Sequence, residues 1–306
     1  LLWFSNTFDK EITNDLNKKG YKLIFHDEFN GATIDESKWT FNEFWGYEKN
    51  GVIWIKDQVS IKNNEAILTT DKYKGSNPDL LSVSGQLCSY PTFYRKYGYY
   101  EIKTKVPPDG IKYWPAFWFA TKESWPPEID MFEFMAAGHS KRMTMTYHWL
   151  SDKENWDEIW ATIDECIKLG FIPERLPTIN ENIKYMQNPN NPPIWTPKKQ
   201  EKVDKLINLR IHKQYGKGLS GYDFSKKYHT YAIKWNEKSI TWYFDNVAVF
   251  KLKNGQWVNF GKTIKLPEYP MYILINNGAE PGYVFKQEEV PMKMPVNYCR
   301  VYEKIN

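Results

Sequence analysis

Cysteine is scarce in this chain, with Cys88, Cys166 and Cys299 the only three among 306 residues. They form no short-spaced pair able to hold zinc or run thiol exchange, and three thiols allow at most one internal disulfide. His26, His139, His212 and His229 have no second candidate ligand at metal-ligand spacing, so packing or surface roles are expected of them. No stretch approaches the roughly 18 apolar residues of a membrane-spanning helix, and no membrane span is expected. The opening LLWFSNTFDK lacks the apolar core and cleavage site of a signal peptide. The net charge is only +4, with no long basic tract, which argues against a nucleic-acid partner. A glycine-rich phosphate loop and internal repeats are also missing.

Aromatic residues are in excess: 14 Trp, 21 Tyr and 17 Phe make up 17% of the chain. Sheets favour such side chains in their cores. Flat rings also suit carbohydrate clefts, where they meet the apolar faces of sugars at little entropic cost, and both uses are expected here. From Tyr21 onward, short apolar or aromatic runs are broken by Gly, Asn, Asp and Pro, as in YKLIFHDEF (21–29), KYGYYEIKTKV (96–106) and YPMYILINN (269–277). Period-two alternation between turn signals reads as an all-β sandwich or barrel. Lys62-Asn63-Asn64 supplies a tight reversal, and NEKS (236–239) joins two strands as a hairpin.

Residues 1–20 read as a peripheral segment and 21–306 as one domain, because β-sandwiches of this length occur as single units. Residues 151–222 break the strand pattern. Trp156, Ile159, Trp160, Ile163 and Ile167 recur at helical spacing before Gly170. A Pro/Asn-rich loop follows, and EKVDKLINLRIHKQYG (201–216) reads as helix or mixed structure. The whole region is expected to be a partly helical insertion.

The chemistry concentrates in Glu128-Ile129-Asp130-Met131-Phe132-Glu133. On a regular strand Glu128 and Asp130 share a face and Glu133 falls on the other. One extra residue near Met131-Phe132, a β-bulge, returns Glu133 to the shared face. Three carboxylates on one face repel one another unless solvated or used. A solvated face or a calcium site also collects acids. The aromatic neighbours Trp114, Trp118 and Trp125, with His148 on the following strand, favour a sugar cleft.

This segment resembles glycoside hydrolase family 16, whose active strand carries Glu-x-Asp-x-x-Glu in bulged form. WPAFWFA (114–120), FHDEFNG (25–31), YGYYEIKTKVP (97–107), YHTYAIKW (228–235), ITWYFDN (240–246) and MPVNYCRVYE (294–303) resemble other family segments in the family's order. The resemblance implies a jelly-roll sandwich of two antiparallel sheets with substrate across the concave one. It implies a secreted, cell-surface or periplasmic enzyme, expected to be monomeric, that cleaves internal β-linkages of a polysaccharide with retention. Glu128 matches the nucleophile, Glu133 the general acid/base and Asp130 the assisting carboxylate. Trp118 and Trp125 resemble aromatics on the non-reducing side of the cut, and His148 a histidine beside the catalytic strand. Trp45, Trp54, Trp114 and Asn276 are further candidate sugar contacts.

No cofactor is required for such catalysis. Family members often hold a structural calcium on the convex side, where Glu28 and Asn297 stand; Asn297 replaces a common Asp. Pro127 stands where glucan-cleaving members usually have Gly. β-1,3-Glucan, agar- or porphyran-type galactans and mucin glycans all remain open as substrates. Transglycosylation on the same residues and non-catalytic carbohydrate binding are the alternative functions.

Overall fold

A computed structural model describes residues 19–41, 51–108, 112–122, 126–135, 139–150, 156–170, 212–258, 262–280 and 282–305, with isolated positions 178, 181, 185 and 188. In chain order the strands are β1 (Tyr21–Asp27), β2 (Val52–Trp54), β3 (Val59–Ile61), β4 (Ala66–Lys72), β5 (Ser82–Ser84) and β6 (Gln86–Cys88). They continue with β7 (Gly98–Thr104), β8 (Ala116–Ala120), β9 (Glu128–Glu133), β10 (Arg142–Leu150), β11 (His212–Ser220) and β12 (His229–Trp235). The last are β13 (Ser239–Phe244), β14 (Val247–Lys253), β15 (Trp257–Val258), β16 (Lys262–Thr263), β17 (Tyr272–Asn276) and β18 (Met292–Lys304).

Two sheets face one another, as the jelly-roll expectation requires. Among the described residues one has six strands in the order β11-β10-β9-β8-β17-β6. The other has ten, running β14-β13-β12-β7-β18-β4-β5-β2 with β1 and β3 alongside. Among the described residues all ladders are antiparallel except β2 with β5, which is parallel. A short β15–β16 ribbon stands apart.

Period-two alternation decides what each strand buries. On β10, Met143, Met145, Tyr147 and Trp149 are buried and join the core, while Thr144, Thr146 and His148 between them are only partly covered. Across the sandwich, Phe132 meets Tyr231 at 4.6 Å and Tyr100 meets Phe119 at 4.9 Å between ring centres. Much of the aromatic content of the described residues is therefore core, with Trp39, Trp235 and Trp242 among the fully buried side chains. Hydrophobic burial of this kind contributes the bulk of folding free energy, about 25 cal/mol per Å².

The local turn readings hold. Asn63 and Asn64 both take positive φ, 55° and 58°, between β3 and β4, the left-handed pair that a two-residue hairpin needs. In NEKS the Asn236 side chain accepts the backbone N–H groups of Lys238 and Ser239. The helical spacing after residue 155 forms α1 (Trp156–Lys168), which ends as Gly170 turns left-handed at φ 68°. One boundary needs correction. His212–Ser220, read as part of the insertion, is the edge strand β11, paired with β10 along its whole length. Gly216 and Gly218 hid it, since glycine is depleted in strands. Among the described residues no helix is long and apolar enough to cross a membrane.

Candidate active site

The expected bulge lies in β9. Against β8, Ala116 faces Glu133 and Trp118 faces Asp130, so three steps on β9 span two on its neighbour. Against β10 the same shift separates Glu133, opposite Thr144, from Asp130, opposite Thr146. Ile129, Met131 and Phe132 are buried in the core. Glu128, Asp130 and Glu133 instead line one cleft on the outer face of the six-stranded sheet.

A bulge interrupts its ladder and leaves backbone groups to be satisfied elsewhere. Here Trp242 of β13 reaches across the sandwich, and its indole N–H donates to the Asp130 carbonyl at 2.8 Å. Sequence reading missed this residue, because the contact joins positions 112 apart. Trp242→Phe leaves a buried carbonyl without a donor, a loss of about 1–3 kcal/mol, and frees the bulge that aims the carboxyls. The expected result is kcat lowered roughly tenfold or more with KM little changed. Steady-state kinetics on a cleaved polymer check it, and wild-type kcat in the variant would refute it.

The carboxyls sit in unlike surroundings. Asp130 is 2% exposed, and burial raises its carboxyl well above the usual carboxylate range. His148 Nε2 lies 3.1 Å from Asp130 Oδ2 and 3.6 Å from Glu128 Oε1. Burial also pushes Glu133 up to about 8, helped by the charge of Asp130 and opposed by Trp114 and His148. Trp114 donates its indole N–H to Glu133 Oε1 at 3.0 Å. That bond favours the ionised carboxylate, so Trp114→Phe should raise the Glu133 pKa further. The alkaline limb of kcat/KM is expected to move up by roughly half a pH unit to one unit. A limb that stays in place would show that Glu133 is not the titrating acid.

The carboxyls divide the cleft into two lobes. The narrower, about 220 Å³, is walled by Trp54, Trp114, Trp118, Gln86 and Asn276. Trp118 donates its indole N–H to Asn276 Oδ1 at 2.8 Å, and Trp54 donates to the Asn277 carbonyl at 2.8 Å. Asn277 is itself buried under that wall. Gln86, 3% exposed, was not anticipated; nothing in its short strand marks it in sequence. The wider lobe, about 670 Å³, lies over β10 and β11 and includes His148, Thr144, Thr146 and Arg142. Of the anticipated sugar contacts, Trp54, Trp114, Trp118, Asn276 and His148 thus meet the carboxyls in one groove. Trp45 and Trp125 lie outside the described residues.

Of the anticipated cation ligands, Glu28 directly follows β1 and Asn297 lies in β18, both strands of the other sheet. Both Glu28 oxygens accept from the Arg300 guanidinium, at 2.8 and 2.7 Å. Arg300 also packs over the Tyr298 ring at 3.7 Å. A guanidinium thus already neutralises the carboxylate, and this pair does not fit a calcium ion, which takes six to eight oxygens. Asn297 falls at a register shift between Val296 and Tyr298. Among the described residues one set can hold a metal ion: Glu128, Asp130 and His148, whose donor atoms all lie within 4.8 Å of one another. These are also the groups at the centre of the cleft.

The sequence pattern of Glycosyl hydrolases family 16 matches residues 46–165 and 198–295. The chain is 22% identical over 310 residues to glucan endo-1,3-beta-glucosidase A1 of Niallia circulans, covering 93% of this chain and 38% of that protein. It is 24% identical over 292 residues to the endo-1,3-1,4-beta-glycanase ExsH of Rhizobium meliloti, covering 89% and 45%. The chain therefore spans less than half the length of these curated relatives. Among solved structures, the laminarinase catalytic domain of Thermotoga maritima superposes with a TM-score of 0.64 at 20% identity, covering 94% of this chain and all of that one.

Proposed function

Because the chain belongs to glycosyl hydrolases family 16, we propose that it is a retaining endo-glycosidase acting on internal β-linkages of a β-glucan-type polysaccharide. One observation carries the reading. A single bulge turns Glu128 and Glu133 into the same groove, and burial pushes Glu133 up to about 8. A carboxyl that keeps its proton near neutral pH is suited to the general acid's task, beside a second carboxyl that attacks.

In this mechanism the Glu128 carboxylate attacks the anomeric carbon. Glu133 gives its proton to the glycosidic oxygen as the C–O bond breaks. Glu133, now ionised, takes a proton from water, and the resulting hydroxyl displaces Glu128 from the glycosyl ester. Asp130 lies between them in sequence, holds His148 and raises the proton affinity of Glu133. The tryptophan wall binds the non-reducing part of the chain through ring faces, and the wider lobe takes the leaving part. The names of the relatives favour β-1,3-linked glucan as substrate. A polymer substrate, too large to enter a cell intact, supports reading the enzyme as secreted, cell-surface or periplasmic.

Reducing-end release and product sizing on laminarin, mixed-linkage glucan, agarose, porphyran, carrageenan and mucin test the proposal. Oligosaccharides of several lengths from laminarin, released first as the β-anomer, are expected. Products longer than the starting oligosaccharide would replace hydrolysis with transglycosylation. Binding with no new reducing ends on any polymer would overturn the enzymatic reading.

A further inference from the structure

The wider lobe differs in kind from the tryptophan wall. On β10 the residues alternating with the buried Met143 and Met145 are Arg142, Thr144 and Thr146. Pairing places Gly218 opposite Thr144, Gly216 opposite Thr146 and Gln214 opposite His148, so these β11 positions share the cleft face. The floor of the lobe is therefore made of two threonines and two glycines. Its bareness is built in at Gly216, where a Cβ would stand 2.5 Å from the Met145 carbonyl oxygen and 3.0 Å from Thr146 Oγ1. A neutral, unsubstituted sugar does not call for a full positive charge at the end of this floor.

Arg142 supplies that cation. Its Nε and Nη2 lie 3.4 and 3.8 Å from where a Gly218 Cβ would stand, so the guanidinium rests against a strand that carries no side chain there. Among the described residues no carboxylate pairs with it, whereas Arg95 and Arg300 are each held by a glutamate. Lys217 of the same lobe is tied to the Val249 carbonyl at 3.0 Å. Arg142 also lies on the Glu133 side of the groove, two positions from Thr144, which pairs with Glu133. A carboxyl that keeps its proton to about pH 8 does not repel an anion placed there.

We propose that the wider lobe recognises an acidic substituent, a sulfate ester or a carboxylate, on a sugar of the leaving part, with Arg142 as its receptor. The planar guanidinium offers paired N–H donors matched to two oxygens of either group. The inference rests on the groove being a polysaccharide site and adds to it a preference, among β-glycans, for chains that carry acidic substituents.

The test is a binding ratio, which needs no turnover. Glu128→Gln protein is titrated calorimetrically with laminarin, sulfated laminarin and carboxymethylated curdlan, and the titrations are repeated with Arg142→Gln and Arg142→Lys in the same background. At least one acidic polymer is expected to bind roughly tenfold tighter than laminarin, a difference of about 1.4 kcal/mol. Arg142→Gln should collapse the ratio towards one, and Arg142→Lys should keep part of it. The two acidic polymers tell sulfate from carboxylate. An unchanged ratio in a folded Arg142→Gln protein, or a wild-type preference for laminarin, would overturn the proposal. Absence of cleavage on every polymer would overturn the hydrolytic reading alone, because this ratio is measured without cleavage.

Discussion

Glu128→Gln is expected to lower kcat on a cleaved β-glucan by roughly 10⁴-fold or more, with the fold intact. The amide keeps the size of the carboxylate but cannot form the glycosyl ester, so no alternative route of comparable rate remains. Glu128 is partly exposed on the cleft face and its backbone pairs with Ala120 and His148. The substitution therefore disturbs neither core packing nor the sheet. Substrate binding should survive, which separates lost chemistry from lost structure. A folded Glu128→Gln protein turning over at the wild-type rate would remove the assignment.

Glu133→Ala is the second large effect, and its size should depend on the leaving group. General acid catalysis typically contributes 10²–10⁴-fold. Polysaccharide cleavage is expected to fall by about that factor, because a sugar alkoxide leaves poorly without a proton. An aryl β-glycoside with an acidic phenol needs no such help in the first step, so its glycosylation rate should change little. Added azide, which needs no base, should then accelerate turnover and give a β-glycosyl azide. A uniform loss on both substrates, without azide rescue, would assign the proton transfer to another group.

The same carboxyl ties activity to stability, and its sign can be worked out. Its folded pKa of about 8 lies above the ordinary 4.5, so the folded state binds the proton more tightly than the unfolded chain. Its contribution is most favourable below the ordinary carboxylate range and is lost as pH rises towards 8. Glu133→Gln removes that dependence. Its melting temperature should match wild type near pH 4 and exceed it by a growing margin up to about pH 8. A variant both more stable and nearly inactive would mark Glu133 as a group retained for chemistry rather than for folding.

Local signals made much of this legible. The acid spacing implied a bulge because a regular strand would send Glu133 into the core, where a carboxylate has no place. Asn63-Asn64 marked their turn because few other residues accept two successive positive φ angles. Partnerships formed across the sandwich were not legible. Nothing in ITWYFDN distinguishes Trp242, which supports the bulge, from its aromatic neighbours. Glu28 had the chemistry of a cation ligand, and only the fold shows that Arg300 already neutralises it. The strand β11 was missed because Gly216 looks like a loop residue, although close approach to Met145 is what requires it there.

The narrow lobe has a consequence for selectivity. Among the described residues its three indole N–H groups all donate to the protein itself, to Glu133, Asn276 and Asn277. Dehydrating those rings on contact with a ligand breaks no ring-to-water hydrogen bond. Attachment there should track contact area, with a negative heat-capacity change, and should favour sugars that offer the rings a broad apolar C–H face. Discrimination by hydroxyl pattern then falls to the polar edge of the lobe at Gln86, so exchanging Gln86 should retune the sugar preference while the tryptophan platform, with Trp118 tied to Asn276, stays as it is.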